Sequence, residues 1–447
     1  IFGGCNRQGT VTGGDANITI EEGGGSCNDG KVDIDYHFCG GNYTDVIAEI
    51  NQVMTCAAND KYLGLYGGCR LGTVYGNVTL TIEGGTFGSV FGGSLGAGDY
   101  AANIRKYPTE EQVAADLASD HPRFTPADLD YMRAHRELQG TGGNITVILK
   151  GGKIENVFGG CDQNGNVEGK IIIIIDSTET GTCALDVDYV YGGSNLSPYR
   201  PLDSTATTPI INLVKGHVNH DVFGGGRGNS VDDLFSAINA GLVTSNPKIV
   251  MGADQKVDYA TWITNHTTNP SVETVPWTTA TADDKKFWVK GNIYGGGEMA
   301  RVGKYSTSGD DLVCDANTGK TTVEIAAGKV GPRTLVMPMD SGMVFGAGKG
   351  IVGDPATNAN IPLLNYVNNT EVIIGKESDH SGPFIKGSVY GGSQNGHVLH
   401  DTWVKIQGGQ IGCGWDHTGD KTDAQRDLNR AYTDAEWVYA DHPSLFE

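Results

Sequence analysis

A short unit, an aliphatic residue followed by Phe or Tyr and then by Gly-Gly or a close variant, recurs along this chain and constrains its fold more than any other feature. It stands at Ile1-Phe2-Gly3-Gly4, Leu65-Tyr66-Gly67-Gly68, Val90-Phe91-Gly92-Gly93, Val157-Phe158-Gly159-Gly160, Val190-Tyr191-Gly192-Gly193, Val222-Phe223-Gly224-Gly225, Ile293-Tyr294-Gly295-Gly296, Val344-Phe345-Gly346-Ala347 and Val389-Tyr390-Gly391-Gly392. A second element travels with it, in which apolar residues alternate with Thr or charged ones and the run usually ends in Gly. Examples begin at Asn77-Val78-Thr79-Leu80-Thr81-Ile82, Asn144-Ile145-Thr146-Val147, Thr321-Thr322-Val323-Glu324-Ile325 and Thr402-Trp403-Val404-Lys405-Ile406. Such period-two alternation marks strands with one face buried.

The cleanest cycle runs from Tyr66 to Phe91 and contains Thr73-Val74-Tyr75, the strand from Asn77 and the strand Ser89-Val90-Phe91. Hairpin meanders return antiparallel through two-residue turns, whereas these segments recur in one order, as stacked coils do. The expected fold is therefore all-β: a right-handed parallel β-helix with about three short strands per coil. Coils stacked at the strand spacing of about 4.8 Å would bring the aromatic anchors into a column inside the solenoid. The glycines after each anchor are expected to supply positive φ and close approach of neighbouring coils at a corner.

Three stretches break the period, which divides the chain into coils at 1–104, a helical insertion at 105–138, coils at 139–231, a polar Trp-containing insertion at 232–288, coils at 289–413 and a helical stretch at 414–447. In the first insertion Pro108-Thr109-Glu110-Glu111 has the form of a helix N-terminus, and Val113, Leu117, Leu129, Met132 and Leu138 fall at helical spacing. The chain starts on an anchor without its lead-in, and the lead-in Gly408-Gly409-Gln410-Ile411 has no anchor after it. These ends predict a segment of a longer repeat protein, continued by further coils of the same chain or by end-to-end self-association.

Composition narrows the function classes. Gly accounts for 67 of 447 residues, but without the Gly-X-Y period of collagen, and the 38% hydrophobic content is too high for a disordered chain. A formal charge of −21 repels polyanions, which argues against nucleic acid as a partner. The longest purely apolar run is Ile171 to Ile175, too short to insert into a membrane. Nine cysteines occur without CxxC or Cys/His metal spacing. Cys5, Cys69 and Cys161 each follow Gly-Gly, which predicts stacked free thiols at equivalent repeat positions.

The anchor and Asn-Val-Thr-Leu-Thr-Ile-Glu-Gly-Gly signature resembles the Gly-rich β-helix repeats of large surface proteins of gut Bacteroidetes and related anaerobes, and more loosely the passenger domains of bacterial adhesins. It covers most of the chain outside the insertions. The resemblance implies an extracellular or cell-surface location and a structural or interaction role, with a glycan or surface protein as ligand. Parallel β-helices also carry polysaccharide lyases and glycoside hydrolases, so an enzyme on the same scaffold is the alternative.

Candidate chemistry is sparse. Asp186-Val187-Asp188 places two carboxylates on one strand face about 7 Å apart, compatible with inverting glycoside hydrolysis or with Ca²⁺ ligation, and Asp33-Ile34-Asp35 repeats the pattern. Neither pair has a Lys or Arg cluster nearby in sequence, as a lyase acting on acidic sugars would need. His217-Val218-Asn219-His220-Asp221 and His397-Val398-Leu399-His400-Asp401 look like duplicated sites but sit in different phases of the coil, so no metal or other cofactor is assigned to them. Trp262, Trp277 and Trp288 are the ligand-binding candidates, since insertions in solenoids often carry binding surfaces. Asn-x-Thr/Ser sequons at Asn17, Asn42, Asn77, Asn144, Asn195, Asn265 and Asn368 would be glycan acceptors in a eukaryotic protein and plain strand pattern in a bacterial one.

Overall fold

The computed structural model describes residues 33–40, 46, 50–56, 61–96, 103–104, 109–120, 122, 124–134, 143–230, 234–268, 274–308, 311–332, 341–353, 361–378 and 380–412. The structure is mostly β, and a large parallel sheet in it curls through 293° as a half-barrel, consistent with a β-solenoid. Two stacks of parallel strands run through it. The first joins Ile50–Met54, Val78–Ile82, Ile145–Leu149, Ile171–Asp176, Thr207–Val218, Asn246–Met251, Lys320–Ile325, Asn369–Ile374 and Thr402–Ile406. The second holds the anchor strands, among them Lys61–Tyr66, Thr86–Phe91, Lys153–Phe158 and Asp186–Tyr191, each paired in register with the next. Shorter contacts link Val46 with Val74, Tyr199 with Val243, and Val243 with Val302.

Alternation fixes what faces inward. Val78, Leu80 and Ile82 of one coil meet Ile145, Val147 and Leu149 of the next, and all lie in one aliphatic interior with Val90, Val157 and Val190. Adjacent residues on a strand point to opposite faces, so the anchor rings cannot share that interior. They form a separate column from Phe38 through Tyr66, Phe91, Phe158, Tyr191, Phe223, Tyr294 and Phe345, with Tyr390 stacked on its end. Successive centroids are 4.7 to 5.0 Å apart and the rings are tilted by no more than 11°. The predicted column therefore exists, but on the outer side of the anchor strands. The first anchor, Ile1-Phe2-Gly3-Gly4, lies outside the described residues, and Phe38, which has Cys39-Gly40 behind it, takes part without the full motif.

Among the described residues, the glycines after the anchors do not adopt positive φ, contrary to expectation. Their necessity is steric: a Cβ on Gly159 would collide with the carbonyl oxygen of Gly192 and with Ile171, because coils close to hydrogen-bonding distance there. Positive φ occurs instead at the corner between the two stacks, at Gly85 (95°) and Gly152 (92°), where an L side chain would be strained.

Next to the anchor glycines, Cys69, Ser94, Cys161 and Ser194 build a ladder. The backbone N–H of Cys69 donates to Ser94 Oγ (3.0 Å), that of Ser94 to Cys161 Sγ (3.4 Å) and that of Cys161 to Ser194 Oγ (3.1 Å). Cys69 and Cys161 are free, as the sequence predicts, and hold equivalent positions, but Ser94 stands between them so the thiols do not stack on each other; burial pushes the Cys161 thiol up to about 12, so it stays protonated. Cys5 lies outside the described residues. A disulfide absent from the sequence reading joins Cys56 to Cys183 across 127 residues. The loop after Asp176 reaches back over the corner to make it, and a Cβ on Gly84 or Gly151 would strike Cys56 or Cys183.

Within the first insertion the chain forms helices Glu110–Leu117 and Pro126–Ala134, with a Thr109/Gln112 capping box; Val113 and Phe124 pack with Tyr75, and Leu138 lies outside the described residues. The second is interrupted by the coil strand Asn246–Met251 and ends before Phe287–Val289, which pairs in the anchor stack. Between them, helix Tyr259–Thr268 and Val257 cover Ile148, Ile172, Ile174 and Val214 on the outside of the sheet. That cover is why the run Ile171 to Ile175 can be apolar on both faces. The stretch 414–447 lies outside the described residues.

Candidate functional site

Strand pairing assembles a polar surface on the outer side of the anchor stack. Val187 lies opposite Val218, His217 opposite Trp288, and Trp288 opposite Lys329, so Asp186, His217, Trp288 and Lys329 form one row along the stack. A second row holds Asp188, Asn219 and Lys290. The Asn219 amide donates to Asp186 Oδ1 (2.6 Å) and Asp188 Oδ1 (2.9 Å), and its oxygen accepts from Lys290 Nζ (2.6 Å). Both carboxylates thus converge on one nitrogen, closer together than the roughly 7 Å strand repeat that the sequence suggested. Lys290 and Lys329 both lie over the Trp288 ring, at 5.5 and 5.3 Å from its centroid, and the indole N–H donates to Gly331.

Beside these rows Tyr189 stacks on His220 at 4.7 Å, and a groove of about 550 Å³ opens between Tyr189, Asn219, Asp221, Lys290, Asn292 and Lys349. Asp221 accepts from the Asn292 backbone and from Lys349 Nζ. Partial burial would raise the Asp186 carboxyl, but hydrogen bonds from Asn219 and His217 and the charges of His217 and Lys290 outweigh it and hold the group below its ordinary value. His217 is held low by desolvation and by Lys290, against the pull of Asp186.

Inverting hydrolysis needs one carboxyl kept protonated as the acid and room for a water before the other. Asp186 is instead held ionised, and a shared amide bridges the pair. The geometry fits a surface that presents fixed hydrogen-bonding groups beside an aromatic platform. It brings one lysine to the pair, Lys290, which reaches Asn219 from another coil and which sequence neighbours alone did not place there.

The other candidates scatter. Trp262 is only 2% exposed and donates to Thr146 Oγ1, so it pins the covering helix to the sheet and is closed to ligand. Trp277 stands in the small antiparallel pair with Gln255–Val257, away from the anchor stack. The strand carrying Asp33 and Asp35 is present, but their side chains lie outside the described ones. His397 pairs beside Tyr366 in a separate two-stranded sheet, far from the register of His217. Among the described residues no group of three or more His, Cys, Asp and Glu could hold a metal ion. Asn77, Asn144 and Asn368 are buried, and Asn77 and Asn144 accept backbone N–H groups of the next coil, so these sequons are closed to glycosylation as folded.

Lys290 and Lys349 escaped the sequence reading, and Asn219 was given no role of its own within the 217–221 stretch, because only the strand register brings them to Asp186 and Asp221. Comparison with known proteins finds no matching family model, no matching curated protein and no matching solved structure.

Proposed function

We propose that this chain is part of a cell-surface or secreted structural and interaction protein, an adhesin-like rod whose outer faces bind a glycan or surface protein. In this reading the scaffold is a right-handed parallel β-helix, with the Val46–Val74 and Tyr199–Val243–Val302 contacts as a third short strand position in each coil. Right-handed crossover is the hand that parallel connections nearly always take. The chain is of the kind found in Bacteroidetes-type surface proteins, and further coils or end-to-end association would continue its stacks. The Cys56–Cys183 disulfide supports an extracellular, oxidising location.

One observation carries the choice of display over catalysis: the Asn219 amide bridges Asp186 and Asp188 and, with His217 and Lys290, holds Asp186 ionised. A polysaccharide lyase is the second reading, favoured by Lys290 beside the same carboxylates. Incubation with a polysaccharide panel separates them. Binding without release of reducing or unsaturated ends is expected, and Trp288→Ala should weaken binding at this face. Release of unsaturated ends that Asp186→Asn or Lys290→Ala abolishes would establish the enzyme instead.

A further inference from the structure

A second groove lies on the outer side of the other strand stack, where no binding residue was anticipated. Its volume is about 450 Å³ and its walls include Asn246, Asn317, Thr322, Glu371, Asp401 and Trp403. The register places Thr322 opposite Glu371 and Glu371 opposite Trp403, so the groove runs across successive coils. One wall is rigid: Asn246 donates to the carbonyls of Thr205 and Asn317 and accepts from the Lys320 backbone. Glu371 is neutralised within the protein by Lys320 and Lys405, each at 2.6 Å.

What remains for a ligand is specific. Trp403 is 57% exposed, with Lys405 5.7 Å from its ring centroid. Its indole N–H, the Asp401 carboxylate and the Thr322 hydroxyl have no protein partner among the described residues, although the Asp401 backbone is fixed by Asn369. An indole face beside an acceptor carboxylate, a hydroxyl and an amide matches the apolar C–H face and the hydroxyls of a pyranose ring. Because the lysines are consumed by Glu371 while Asp401 stays uncompensated, in a chain of charge −21, an acidic sugar is disfavoured.

We infer that the Trp403–Asp401–Thr322 groove is a binding site for a neutral glycan, with Trp403 as the stacking platform. This deepens the display reading above and rests on it. The test is affinity electrophoresis of the full chain in gels containing mixed-linkage β-glucan, xylan or mannan, with polygalacturonate for comparison. At least one neutral polysaccharide should retard the protein. Trp403→Ala should weaken that retardation by roughly 30-fold, as loss of an aromatic anchor does. Asp401→Asn should weaken it less. Trp403 is exposed, so unchanged thermal melting would show that the loss is not unfolding. The assignment fails if Trp403→Ala binds like the parent, if polygalacturonate alone retards the chain, or if no neutral polysaccharide does. Retention lost in Trp288→Ala but kept in Trp403→Ala would overturn this groove while leaving the display reading intact. Release of sugar ends would overturn that reading instead.

Discussion

Phe158 sits between Phe91 and Tyr191 in the aromatic column, 1% exposed, with centroid distances of 4.9 and 4.7 Å. Its removal leaves a hole bounded by ring faces above and below, which rigid neighbouring coils cannot close. Phe158→Ala is therefore expected to cost about 3–5 kcal/mol in denaturant unfolding, and a change under about 1 kcal/mol would show that the column carries little of the stability. Charge at the residue scale has a different signature. Folded Asp186 and His217 both bind protons less readily than in the unfolded chain, so the unfolded state takes up more protons as pH falls. Their contribution is complete above the ordinary His value of about 6.5. It declines as His217 and then Asp186 pass through their lowered folded values. Melting temperature should drop through this acid range, and Asn219→Ala, which frees the carboxylates, should flatten the Asp186 part of the drop.

Among the elements, the corner loop after Asp176 and the covering helix each close something that the repeat leaves open. The Cys56–Cys183 bond ties the strand end after Met54 to the loop that precedes Asp186–Tyr191, across 127 residues. Removing it should cost about 2–5 kcal/mol, read as a lower melting temperature in Cys183→Ala and in the reduced parent. An unchanged melt on full reduction, verified by thiol titration, would mean that stacking alone fixes this corner. Helix Tyr259–Thr268 does comparable work on the sheet exterior, where it shields Ile148, Ile172 and Ile174. Sequence patterning exposed one half of that arrangement, the unbroken Ile run, but not the element that covers it.

At the scale of the whole molecule, strands pair only with those of the adjacent coils, while the Cys56–Cys183 bond and hydrogen bonds such as Tyr66 to Asp162 reach further, so stability should be spread along the stack rather than pooled in one centre. Strands Ile145–Leu149 and Ile171–Asp176 are buried at every position and paired on both sides, whereas Thr402–Ile406 is exposed throughout and paired with Asn369–Ile374. Hydrogen exchange should therefore be slowest in the former two strands. Uniform protection along the chain would indicate a single cooperative unit instead.

What the sequence by itself determined follows from periodicity. The two-residue alternation set the inner faces, the recurrence of the anchor set the coil, and the equivalent positions of Cys69 and Cys161 announced their place in one ladder, because a repeated local pattern can only be satisfied by repeated local geometry. Tertiary structure alone decided the rest. Phe91 and its counterparts face away from the interior, and Gly159 is required by a neighbouring coil's carbonyl and not by its own φ. Asp186 meets Asn219, Asn219 meets Lys290, and Trp403 lies opposite Glu371, through registers set by loops and insertions of unequal length. Such lengths alter which residues become neighbours across coils while leaving the repeat within each coil unchanged, so the scaffold is written locally and its surface chemistry is not.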